Sequence, residues 1–206
     1  MTSILTGDIV KSRKANNTIW LEKLKDTLNK FGKQPTNWEI FRGDSFQLEV
    51  SIEKAFYVAF LLKSHLKQVD NIDVRIGIGI GIDAKEPKSF NITEANGEAY
   101  INSGEIFDSL VKKQLIAIKT PWTALDDELN LALELALLTM NNWTKNSAEV
   151  FQLSIENPLL TQNEIAKKIG ITQSNVSERQ KRAGYDAITK LEKRYRKLIQ
   201  QKIASL

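Results

Sequence analysis

Cysteine is absent from this 206-residue chain, and histidine occurs once, at His65. The first absence excludes disulfides, thiol nucleophiles and cysteine-ligated metals; the second excludes a multi-histidine zinc centre. Long apolar runs are missing as well. The most leucine-rich stretch, 125–140, is interrupted by Asp126, Asp127, Glu128 and Glu134 and does not reach membrane-spanning length. The opening MTSILTGDIV has neither the basic region nor the apolar run of a secretory signal. These omissions predict a cytoplasmic protein. What is present is a globular composition, 42% hydrophobic and 26% charged, long enough for one large domain or two small ones.

Charge is unevenly placed. The net of +4 divides into +7 over residues 161–206, −5 over 121–160 and +2 over 1–120. A basic C-terminal segment is the footprint expected of a phosphate-binding surface, although a solvated helix face also accounts for part of it.

Within that segment, QNEIAKKIGITQSNVSERQ, from Gln162 to Gln180, has the spacing of a helix-turn-helix. Ala166 is small enough for two helices to cross there. Gly170 falls where the first helix must stop and a left-handed residue is needed. Thr172 can cap the second helix, while Ile165, Ile169, Ile171 and Val176 close a small apolar centre. The second helix then presents Gln173, Ser174, Asn175 and Ser177 for base edges, and Arg179, Lys181 and Arg182 for phosphates of double-stranded DNA. The alternative is an ordinary helical hairpin with a capped turn.

The first 120 residues read as a separate unit. SILTG is a strand ending in Asp8, followed by a helix over about 16–31. NWEIF and SFQLEV form a hairpin around Arg42-Gly43-Asp44, and a second helix covers about 52–69. His65, near its end, has no partner cluster close in sequence and reads as a surface or interface residue. VRIGIGIGI, 74–82, alternates isoleucine with glycine, so one strand face is bare and invites close approach by a backbone or ligand. A loop, 83–96, a third helix over about 97–113 and a strand, 114–119, complete a β-α-β-β-α-β order with one extra helix. The expected fold is α+β: a ferredoxin-like sandwich with its helices on one face, followed by an all-α helix-turn-helix domain.

In that topology Asp8 and the turn residue Asp44 meet at one sheet edge, where two hard oxygen donors suit Mg²⁺ carried with a nucleotide. Each aspartate also has the simpler role of bonding turn backbone. TGDIVKSR, 6–13, and RGDSFQLEV, 42–50, resemble signature segments of the SatD family, and the layout is similar to the class III nucleotide cyclase fold. The resemblance spans residues 1 to about 115. It implies metal ligation by Asp8 and Asp44 and a nucleotide contact by Asn102 in GEAYINSGEIF; Arg13 and Arg42 are placed to contact phosphate. The cyclase pattern has an arginine one helical turn after that asparagine, where this chain has Ser103, Gly104, Glu105 and Ile106. Without its electrostatic contribution, efficient phosphoryl transfer is not expected.

Pro121 marks the domain boundary, giving units 1–120 and 121–206 with the helix-turn-helix at about 162–183. Thr123 is expected to cap the next helix, about 124–140, whose Leu131, Leu135 and Leu138 add a second apolar side and predict burial on both. The tail carries Ile188, Leu191, Tyr195, Leu198 and Ile203 at helical spacing. They pack either on their own domain or across a homodimer contact. The leading expectation is a DNA-binding transcriptional regulator whose cyclase-like part senses a small nucleotide or dimerises. The alternative is a metal-dependent nucleotide cyclase or other nucleotide-processing enzyme using Asp8 and Asp44.

Overall fold

Alternation builds the central strand. In β1 (Thr2–Val10) Leu5 and Ile9 enter the main core, while Ile4 and Thr6 point to the opposite face. The computed structural model describes residues 1–12, 17–82, 91–111 and 113–206. The loop expected at 83–96 lies mostly outside them. Beside β1 run β2 (Trp38–Phe41), β3 (Ser45–Val50), β4 (Asp73–Gly81) and β5 (Ile116–Lys119), in the order β2-β3-β1-β4-β5. All neighbours are antiparallel except β4 and β5. Asp8 lies inside β1, opposite Ser45 on one side and Arg75 on the other, rather than at the strand end.

Two helices, α1 (Asn17–Asn29) and α2 (Ala55–Leu66), cover one face, where Trp20, Leu24, Phe56 and Leu62 pack with Ile76 and Ile78. The third, α3 (Glu98–Asp108), lies on the other face, so the helices are not confined to one side. The glycines of β4 explain its position. A Cβ at Gly79 would stand 2.1 Å from the Ala99 carbonyl oxygen and 2.2 Å from the Ser103 nitrogen. The bare strand face therefore receives the backbone of α3.

Five helices follow: α4 (Thr123–Met140), α5 (Lys145–Glu156), α6 (Gln162–Ile169), α7 (Gln173–Ala183) and α8 (Tyr185–Ala204). Thr123 is the first residue of α4, not its cap. Asn130 of α4 instead accepts from Ile118 N at 2.9 Å and donates to Ile118 O at 2.8 Å, satisfying the outer edge of β5. One apolar cluster runs from the sheet through α2 into α4, α5 and α8. Tyr195 stacks on Phe56 with ring centroids 4.0 Å apart and donates its hydroxyl to Ile52 O at 2.5 Å. The boundary at Pro121 divides the chain order, while the core is continuous across it.

That continuity buries α2 on both sides and overturns the surface assignment of His65. Its Nδ1 shares a hydrogen bond with the Thr27 hydroxyl, and Nε2 lies 3.9 Å from Glu156 of α5. Burial first, then the nearby Lys30 charge, push the imidazole down to about 4. Glu156 is itself bound by Lys30. The tail stripe is consumed inside the chain: Ile188 and Tyr195 are buried, with Leu191, Leu198 and Ile203 packed beside them. The second apolar side of α4, in contrast, faces outward: Leu131, Leu135 and Leu138 are exposed. No helix among the described residues is long and apolar enough to cross a membrane.

Candidate functional site

The α6–α7 corner is built by local chemistry on a third helix. Thr161 and Glu164 cap α6 reciprocally, with Thr161 N donating to Glu164 Oε2 at 2.7 Å and Glu164 N donating to Thr161 Oγ1 at 3.3 Å. The Thr161 amide first, and then its hydroxyl at 2.8 Å, donate to the exposed Glu164 carboxyl and hold it below its usual range. Gly170 takes φ 67° and ψ 34°, the left-handed conformation that ends α6. Thr172 then accepts from Asn175 N at 3.3 Å and starts α7. Ile165, Ala166 and Val176 pack against Val150 of α5, so three helices share this small core. Ala166, small enough for the two helices to cross, is buried in it.

An amide relay fixes the corner further. Gln173 donates to Gln162, Gln162 donates to Gln180 at 2.7 Å, and Gln180 donates to Ser154 of α5 at 2.8 Å. The sequence assigned Gln173 to base edges and gave no sign that it joins Gln162 and Gln180 in a relay. Outward from this frame, Gln173, Ser174, Asn175, Ser177, Lys181 and Arg182 are all exposed. Arg182 pairs with Glu178 one turn back on the same helix. Arg179 is only partly exposed and lies 3.5 Å from Glu149 of α5, so it faces the helix frame more than the other cations do. A row of short polar groups followed by cations on a rigid helix can hydrogen-bond planar acceptors and donors and neutralise anions.

The aspartate edge is arranged differently from the expected metal site. Asp8 binds Arg75 through both carboxylate oxygens, one of them at 2.9 Å from Nε, and that hydrogen bond raises the arginine pKa. The guanidinium also sits 5.1 Å from the ring centre of Phe107 of α3. Asp44 accepts from the Ser12 hydroxyl at 2.5 Å, and its carbonyl accepts from Ile9 N at 3.1 Å. With Asp8 saturated by a cation and Asp44 tying two turns together, this donor set does not fit Mg²⁺. Among the described residues, no group of three or more metal-ligating side chains is present.

Of the residues expected to hold a nucleotide, Asn102 and Arg42 are not brought together. Asn102 is buried and donates to Ile80 O at 2.8 Å, so it ties α3 to the far end of β4. Arg75 and Ile80 are five positions apart on that strand, or ~16 Å at strand rise. Arg42, at φ 52°, is exposed in the β2–β3 turn, and Arg13 lies outside the described residues. The cation that does reach Asp8, Arg75, was missed. Its signal was present: in VRIGIGIG it has the period-two phase of the glycines and so shares their face. A cavity of about 630 Å³ lies elsewhere, between α1, α2, α5 and α8, with Lys30, Tyr57 and Arg196 in its wall.

The architecture defines a mixed α/β protein, with a five-stranded sheet and eight helices among the described residues. The chain belongs to the SatD family, whose model matches residues 3–200. The match runs well past residue 115, where the resemblance read from sequence ended, and takes in the helices that share the core. No match is found among curated proteins or solved structures.

Proposed function

We propose that this protein is a DNA-binding transcriptional regulator in which α6 and α7 form a helix-turn-helix. In this reading α7 enters the major groove, with Gln173, Ser174, Asn175 and Ser177 toward the bases. Lys181 and Arg182 neutralise phosphates, and Arg179 joins them on release from Glu149. The observation that carries the reading is the exposed polar-then-cationic face of α7, held on a three-helix frame in the part of the chain with net charge +7.

The first four strands are read as a ferredoxin-like, nucleotide cyclase-like unit. The strand order β2-β3-β1-β4 with antiparallel neighbours supports this. That unit serves sensing or dimerisation without efficient catalysis. Its continuous packing with α5 and α8 supplies a route by which a small ligand, a nucleotide among them, shifts the set of α7. The cyclase alternative draws no support from an Asp8 carboxylate already occupied by Arg75.

Fluorescence anisotropy on duplexes selected from random DNA tests the proposal. Binding is expected to weaken steeply with salt. Arg182→Ala should reduce affinity on every sequence, and Asn175→Ala should change sequence preference by about 1–3 kcal/mol. Absence of duplex binding at low salt sinks the reading.

A further inference from the structure

The outward face of α4 is an apolar stripe left without a partner among the described residues. Leu131, Leu135 and Leu138 are 61%, 61% and 70% exposed, and Val111 beside them is 62% exposed. Single exposed leucines are common; three on one helix stripe, continued by a valine, are not. The stripe is also regular. Ala124, Glu128, Leu131, Leu135, Leu138 and Asn142 are all exposed and fall at alternating spacings of four and three, the seam of a two-helix coiled coil. The buried set of the same helix, Leu125, Leu129, Leu133 and Leu137, faces the core. Asn130, locked to Ile118, fixes the helix against β5, so the stripe is presented on a rigid element.

We propose that a second copy of this chain covers this face, the two α4 helices packing antiparallel about a two-fold axis. Leu131 of each copy then lies against Leu135 of the other.

Charge selects the occupant and its direction. The start of α4 is acidic, with Asp126 in its first turn followed by Asp127 and Glu128, the last paired with Arg194 at 3.3 Å. Its other end carries Lys113, whose backbone Asn141 holds through a 2.9 Å bond to the carbonyl, with Glu134 on the same groove. A groove of about 530 Å³ separates Lys113 and Val111 from Leu138 at that end. An antiparallel pair sets each Lys113 beside the acidic start of α4 in the other copy and opposes the two helix dipoles. A parallel pair would stack the acidic ends together. The surface is thus complementary to itself under a two-fold, the condition for an isologous dimer. The α8 stripe, the other candidate dimer contact, is already spent inside the chain. That the axis also sets the spacing of two α7 helices rests on the DNA-binding reading; the contact itself does not.

Sedimentation velocity on the full chain tests it. The wild type should run at twice its 23.3 kDa mass. Leu135→Glu should run as a monomer with unchanged circular dichroism, and the uncharged pair Leu131→Gln with Leu138→Gln should weaken the dimer at least about tenfold. Because the chain has no cysteine, direction is read by cross-linking. A mixture of Leu131→Cys and Leu135→Cys proteins should oxidise to a disulfide dimer faster than either alone. A monomeric wild type, a dimer that survives both sets of substitutions, or self-linking of each single variant at the rate of the mixture overturns the proposal. A monomer that still binds duplex removes this contact and leaves the DNA reading standing, whereas a dimer that binds none does the reverse.

Discussion

Gly79→Ala should separate α3 from the sheet. The new methyl would lie 2.1 Å from the Ala99 carbonyl oxygen, 2.2 Å from the Ser103 nitrogen and 2.8 Å from its Cα. Ordinary contact at close-packed density needs about 3.4 Å or more, so the helix must retreat by roughly 1 Å. The obstacles are main-chain atoms of a regular helix and cannot rotate aside. Retreat loosens Ala99, Asn102 and Ser103 together, all of them buried. The cost should fall at the upper end of overpacking penalties, on the order of 3 kcal/mol. Gly104, in the same helix, is the control: a Cβ there meets nothing within 4 Å. Gly104→Ala should stabilise by about 0.5–1 kcal/mol through helix propensity alone. Urea unfolding followed by tryptophan fluorescence separates the two, since about 3 kcal/mol moves the midpoint by roughly 1–3 M. A Gly79→Ala protein within about 1 kcal/mol of wild type would refute the account of why β4 carries glycines.

Stability should fall as pH drops from 6.5 toward 4. The unfolded chain takes up a proton on His65 in that window, and the folded chain, whose imidazole is pushed down to about 4, does not. The contribution is complete above the unfolded value and its loss reaches on the order of 3 kcal/mol near the folded one. His65→Asn should flatten that part of the melting-temperature profile. Lys63 is fully buried against Asp73 at 2.7 Å, and burial pulls its ammonium down to about 8. Asp73→Ala should cost about 3 kcal/mol in chemical denaturation by stranding that charge, while Lys63→Met should cost far less. Tyr195→Phe should cost about 1 kcal/mol by removing its bond to Ile52 O, which keeps the Ala55 amide, and Tyr195→Ala about 3–5 kcal/mol; a Tyr195→Phe protein as stable as wild type would contradict a hydrogen bond between the halves.

The family match over residues 3–200 and the continuous core describe the same fact from two sides. The C-terminal helices are not an appendage on the sheet. They close the back of α2, and α8 places its stacked tyrosine against the start of that helix. Packed side chains therefore join the sheet to the C-terminal helices.

By itself the sequence determined what is local. Period-two alternation marks β2, β3 and β4, helical spacing marks the apolar faces, and Ala166, Gly170 and Thr172 specify the α6–α7 corner within a dozen residues. Each of these depends on backbone preference or on side chains a turn apart. What the tertiary structure decided depends on which elements are neighbours. Asp8 meets Arg75 because β1 and β4 pair in that register. Asn102 is drawn to Ile80 because α3 lies along the glycine face. His65 is buried because α5 closes over α2, and Leu131, Leu135 and Leu138 stay bare because nothing in the single chain comes back over α4. Contacts between residues tens of positions apart are set by the packing of whole elements, and no spacing along one segment encodes them.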